Sequence, residues 1–165
     1  MTALKPISRD AIPRALEKAE RYRMLNEPFF AESICLDVLA TDSTHQRALA
    51  IYVLSLTDQF KVSMGGASKA RAALSRFTSG FDKLYYGGII SERSAVALLE
   101  SAATGVNVTA WHHLHDAMSA YEKADGVQTD ATNDDALLRF NTCVRLIEAH
   151  RLTEPTEDKH DYPLE

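Results

Sequence analysis

The chain has 165 residues, 45% of them hydrophobic and 25% charged, with 7 glycines and 5 prolines. That length suits one domain with a sizeable core, and so few turn-forming residues argue against an all-β fold. A net charge of −5 argues against general nucleic-acid affinity, which needs a basic surface.

No run approaches the roughly 18 apolar residues that span a bilayer. The opening Met1-Thr2-Ala3-Leu4-Lys5-Pro6 carries no apolar stretch of signal-peptide length. Cys35 and Cys143 each fall within an apolar helical pattern, the usual setting of reduced, buried thiols. The pattern leaves a disulfide between them open. These features set the expectation of a cytoplasmic protein with no membrane partner.

Helical periodicity recurs along the chain. A first helix is predicted over residues 10–25, with Asp10 as cap, Pro13 in its first turn and Ile12, Ala15, Ala19 and Tyr22 as its stripe. Asn26-Glu27-Pro28 interrupts it, because proline fits a helix start and not its middle. The second helix, residues 28–40, has the clearest pattern, with Ala31, Ile34, Cys35, Val38 and Leu39 on one face. Asp42-Ser43-Thr44 stops it and caps the next. The third, residues 45–60, is apolar on most sides and is expected at the centre of the fold.

Met64-Gly65-Gly66 marks a loop before a fourth helix over residues 67–78. In residues 81–103 the stripe Phe81, Leu84, Tyr85, Gly88, Ile89, Ala95, Val96, Leu99 stays in phase across Gly87-Gly88. That phase predicts one long helix despite about 1 kcal/mol per glycine; a break at the glycines is the alternative. A sixth helix, residues 109–125, carries Trp111, Leu114, Met118 and Tyr121 on one face. A seventh, after Asn133, presents Ala136, Phe140, Cys143, Val144 and Ile147. Residues 153–165 hold five acids against one lysine, the composition of a flexible acidic tail. Residues 1–152 form the expected single domain. Short loops between seven helices favour antiparallel pairs.

The first two helices resemble a tetratricopeptide repeat, a helix pair of about 34 residues. Tyr22 stands where that family has its first-helix tyrosine, and Ala31, four before Cys35, at the small residue where the helices touch. Asp42-Ser43 stands where an acid and proline often end the unit, and Ala117, Tyr121 and Ala124 repeat the small-aromatic-small spacing. The chain departs from the family at Ala15 (tryptophan), Cys35 (an aromatic), Val38 (a small residue) and Ser43 (proline), and its two matching segments are out of register with the repeat period. The resemblance covers residues 11–60 and, more loosely, 91–150. It implies an all-α fold of antiparallel hairpins stacked as a short α-solenoid of about seven helices; a generic helical bundle is the alternative.

Proteins of that family are adaptors whose groove is lined by the first helix of each pair. The resemblance therefore implies a protein-interaction module, not an enzyme, taking a peptide or helix of a partner. Its groove positions fall near Leu16, Glu20 and Arg23 on the first helix and Arg47, Ala50, Leu54 and Thr57 on the third. With leucines, alanine and glutamate there, a lysine–asparagine clamp for a peptide carboxylate is not expected. Six cations, Lys5, Arg9, Arg14, Lys18, Arg21 and Arg23, face three acids in the first 25 residues. They form either a solvated face or a docking surface for an acidic segment, this chain's own tail included.

His112, His113, His115 and Asp116 are the densest candidate metal ligands. On a helix, His112 and His115 share a face with Asp116 while His113 points elsewhere, and no further ligand motif completes a site. A helical metal-binding protein or enzyme subunit using His112, His115 and Asp116 is the alternative function. A purely structural subunit whose apolar helix faces complete a larger complex, exposing a large apolar patch or self-associating as a homo-oligomer when isolated, is a third. Gly65-Gly66-Ala67-Ser68-Lys69 opens a helix but lacks nucleotide-loop spacing, and Tyr85 and Tyr86 with Glu92-Arg93 are candidates to line a groove, although aromatics beside glycine in a helix more often serve packing. No motif calls for a cofactor, and no nucleophile–base spacing is legible.

Overall fold

The computed structural model describes residues 2–155 apart from 64 and 102, so most of the acidic tail expected over 153–165 lies outside the described residues. The described residues form seven α-helices, packed mainly against their neighbours in sequence. They are α1 (Ile12–Met24), α2 (Pro28–Thr41), α3 (Gln46–Thr57), α4 (Gly66–Ala73), α5 (Gly80–Leu99), α6 (Val106–Val127) and α7 (Asp135–Ala149). None of them is long and apolar enough to cross a membrane.

Boundaries shift where capping chemistry decides them. Asp10 lies inside a 3-10 turn, Arg9–Ala11, and α1 starts after it without a side-chain cap. The cap of α3 is His45, whose imidazole accepts the Ala48 N–H at 3.3 Å. Asp42 instead closes the loop by accepting from the Thr44 amide and hydroxyl. The fourth helix is shorter than predicted and ends in a 3-10 turn, Leu74–Arg76. Gln46 holds that turn, accepting from the Thr78 amide and donating to the Arg76 carbonyl.

Two helices end on the same device. After α1, the Asn26 N–H donates to Arg23 O and the Glu27 N–H to Tyr22 O, with Asn26 at φ 59°. After α7, the Arg151 N–H donates to Glu148 O and the Leu152 N–H to Ile147 O, with Arg151 at φ 50°. Both are Schellman closures with a non-glycine residue in the left-handed position. Asparagine tolerates that region; arginine pays about 1–2 kcal/mol. Arg151→Gly should therefore raise stability by about 1 kcal/mol in urea melts. A loss would mean the Arg151 side chain contributes more than its backbone costs.

Two apolar cores share α5. The first joins α1 to α4 and includes Ile12, Leu16, Ala31, Cys35, Leu49, Val53 and Phe77, with Ile90 of α5. The second joins α5 to α7 through Ile89, Ala95, Leu114, Tyr121 and Cys143, with Leu152 beyond the last helix. Adjacent isoleucines thus point into different cores, as a 100° step per residue dictates. As expected, α3 is central, and its buried residues span most of its circumference. Both cysteines are free and buried in separate cores, where burial chiefly pushes each thiol up to about 12.

The predicted helix through Gly87-Gly88 is unbroken, and α5 against α6 is the most extensive contact in the molecule. The reason lies in α6. Its fully buried residues are Ala110, Leu114, Ala117, Tyr121 and Ala124, a seam of small residues around one aromatic. Trp111 and Met118, expected on that face, are only half-buried at its edge. Tyr121 lies directly against Gly88 and donates its hydroxyl to the Glu92 carboxylate at 2.6 Å. Arg139 of α7 donates to the other Glu92 oxygen at 2.8 Å. One buried carboxylate therefore ties three helices together.

Candidate functional site

The predicted groove residues separate into four settings. Leu16 is 1% exposed and belongs to the first core. The buried stripe of α1 is Ile12, Leu16 and Ala19, rotated from the one predicted, so Ala15 and Tyr22 flank it and Leu16 faces inward. Leu54 is half-buried and packs on the second core, at the seam between the two. Ala50 is half-buried against the first. Glu20 and Arg47 find each other: the guanidinium grips the carboxylate through two bonds of 3.1 and 2.8 Å across α1 and α3.

Arg23 and Thr57 do come together, in a cleft of about 540 Å³ where the ends of α1 and α3 meet α5. Thr57 itself is 4% exposed, with its hydroxyl donated to Leu54 O at 2.8 Å. The polar floor is Asp58, bonded by Arg23 Nε at 2.8 Å and approached by Arg93 at 3.9 Å. Lys61 stands on the rim, paired with Glu100, and Val62, Val96 and Ala97 add apolar wall. Three cations thus line the cleft around one carboxylate. Two guanidiniums sharing one carboxylate leave donors unused, since each planar fork carries five N–H groups.

Asp58, Lys61 and Val96 carry no mark in the sequence that assigns them to a groove. Asp58 directly follows the apolar run of α3, where a helix-ending polar residue is unremarkable. The proposed set Tyr85, Tyr86, Glu92 and Arg93 is divided by the fold. Arg93 reaches the cleft, Glu92 is buried against Tyr121 and Arg139, and Tyr86 stacks on Phe77 at 5.0 Å. Tyr85 borders a smaller hollow beside α7 with Leu138 and Arg139. Gly66 begins α4 with its backbone against the Phe60 ring.

His112, His115 and Asp116 are exposed on the outer side of α6. His115 stacks on Trp111 with ring centroids 3.8 Å apart, and His112 meets the same indole edge-on at 5.1 Å. Among the described residues, no group of three or more histidines, cysteines and carboxylates is placed to hold a metal ion. His113 turns inward, and its Nδ1 has no hydrogen-bond partner among the described residues. Burial, then the Arg71 charge, lowers its pKa below the ordinary histidine value.

A depressed histidine pKa means the unfolded chain takes up the proton first as pH falls. His113 then contributes fully above about pH 6.5 and its contribution is lost below that, toward its own lower pKa. Wild-type stability should fall between pH 7 and 5 by more than that of His113→Gln. Parallel acid profiles of the two proteins in urea would assign the loss to other groups.

Comparison with known proteins returned no protein family, no curated protein and no solved structure that matches this chain.

Proposed function

We propose that this chain is a tetratricopeptide-like interaction module, an adaptor or assembly factor that seats a peptide or helix of a partner protein. The observation that carries the reading is the cleft between α1, α3 and α5. These alternate helices touch in succession, α1 on α3 and α3 on α5, besides packing on their sequence neighbours. That relation is what stacked hairpins require, and in such a stack the first helix of each pair faces a common side. Between α1, α3 and α5 lies a cleft of about 540 Å³ with mixed apolar and cationic walls. Its dimensions fit a few side chains of an extended segment, and its unused guanidinium donors favour carbonyl or carboxylate acceptors.

Charge reversal of Arg23 or Arg47 is a poor test, because each is bonded to an acid of this chain, Asp58 or Glu20. Lys61→Gln with Arg93→Gln empties the rim and keeps the Arg23–Asp58 bond. A random 12-residue peptide library selected on the wild-type protein should enrich sequences that lose at least tenfold in affinity for this double variant. Enriched peptides that bind both proteins equally, or no enrichment, would refute the cleft as the binding site.

A further inference from the structure

The cations of α1 fall into two groups. Arg23 is paired internally with Asp58, whereas Arg14, Lys18 and Arg21 make no ion pair among the described residues. These three share a stripe with Leu25 at spacings of four, three and four, on the side opposite the buried Ile12, Leu16 and Ala19. Glu17 and Tyr22 flank the row on the same outer side of the helix. The row rises about 16 Å along the helix, three turns.

The row ends in an exposed apolar corner. Leu25 is 63% exposed, Phe30 52% and Phe29 66%, with Met24 beside them at 81%. The corner is continuous with the row: Tyr22 flanks it and lies 5.4 Å from the Phe30 ring, which meets Phe29 at 5.7 Å. Isolated exposed apolar residues are ordinary, but four at one turn, two of them aromatic, form a patch. Cations beside exposed aromatics match the enrichment found at interface anchors.

We propose that this outer face of α1 and the α1–α2 corner form a second docking surface, which takes an acidic amphipathic helix from a protein partner. A helix of about three turns would set an apolar stripe on Leu25, Phe29 and Phe30 and flanking carboxylates against Arg14, Lys18 and Arg21. Charge complementarity selects this occupant. A second copy docked face to face would set the cationic row against itself. An anionic bilayer presents charge everywhere and so meets the exposed Glu17 beside the row, whereas a partner helix can set an uncharged residue there. The surface lies outside the cleft and shares none of its residues.

The test uses a fluorescein-labelled 15-residue helical peptide of leucine, glutamate and alanine, with its leucines on one stripe. A permuted peptide of the same composition but no stripe is the control, and anisotropy is read in 150 mM salt. The striped peptide should bind the full chain at least tenfold tighter than the permuted one. Arg14→Ser/Lys18→Ser/Arg21→Ser and, separately, Phe29→Ser/Phe30→Ser should each lose at least tenfold, while Lys61→Gln/Arg93→Gln binds as wild type. All the altered side chains are exposed or half-buried, and circular dichroism checks that the variants stay folded. Equal binding of both peptides would reduce the surface to unspecific charge, and loss only in the Lys61/Arg93 variant would move the peptide to the cleft. Either overturns the proposal. So does capture by phosphatidylserine vesicles in preference to the peptide, or tighter binding of a peptide of residues 153–165, which makes this chain's own acidic end the occupant.

Discussion

Gly88→Ala should destabilise the fold by about 1–3 kcal/mol, the usual cost of overpacking a core. The same change one residue earlier, Gly87→Ala, should stabilise it by roughly 0.5–1 kcal/mol. Both glycines lie inside α5, where alanine is the better helix former, so propensity alone predicts two gains. Packing separates them. A Cβ on Gly88 would lie 2.5 Å from Tyr121 Cε1, 2.8 Å from Cδ1 and 2.9 Å from Cζ. That ring is 1% exposed, and its hydroxyl is fixed on Glu92. It is a rigid body with no free end to swing aside, so α5 and α6 must part or the Tyr121–Glu92 bond must stretch.

At Gly87 the nearest neighbour of a new Cβ is Leu74 Cδ1 at 3.6 Å, an ordinary contact. Urea midpoints of the two variants should therefore move in opposite directions around wild type. Two gains would mean that the helices yield at this crossing. A double variant, Gly88→Ala with Tyr121→Leu, should cost less than the sum of its parts, because the leucine gives up the atoms that clash.

Helix number and most of the buried positions of α2 and α3 were legible because amphipathic period and turn residues report them directly. Ala31, Cys35, Val38 and Leu39 are buried as their spacing predicts. The long α5 was legible for the same reason: its apolar phase runs on across the two glycines. The spacing alone did not reveal that Gly88 is there to receive Tyr121. That pairing depends on the register between α5 and α6, a tertiary quantity. Likewise the stripe of α1 was misplaced because alanine and leucine score alike as apolar, and packing chose Leu16 over Ala15 for the core.

The candidate cleft was legible only in part. Arg23 follows from its place on the first helix, but Asp58, Lys61 and Arg93 come from a helix end, a loop and a distant helix. Only the fold brings them together. The sequence also hides which cations are spent. Arg23 and Arg47 look as available as Arg14 and Lys18, until Asp58 and Glu20 are found opposite them.

The largest single loss of stability is expected from Arg139→Leu, about 3 kcal/mol or slightly more. Breaking a buried ion pair by removing one partner typically costs about 3–5 kcal/mol; the lower end applies because the guanidinium is 28% exposed. The carboxylate left behind is not: the Glu92 side chain is 4% exposed. Its remaining partner would be the Tyr121 hydroxyl, which burial first, and then the Glu92 charge, hold well above the ordinary tyrosine range and so keep protonated as a donor. For Arg139 itself burial works against the charge, and the Glu92 carboxylate together with Tyr85 and Tyr121 more than offsets that, raising the guanidinium above its usual value. The network is thus satisfied as a unit and costly when halved.

Tyr121→Phe, which removes one hydrogen bond to a charged group and keeps the ring against Gly88, should cost less, about 1.5–3 kcal/mol. Removing the whole network is a different perturbation. Combining Arg139→Leu with Glu92→Leu and Tyr121→Phe leaves no buried polar group unpaired among the three, and apolar replacements of buried ion pairs are often neutral or better. The triple variant should therefore recover at least half of the loss caused by Arg139→Leu alone. Losses that simply add across the three positions would show that α5, α6 and α7 are held by the separate contacts of these side chains, and that the shared carboxylate contributes little.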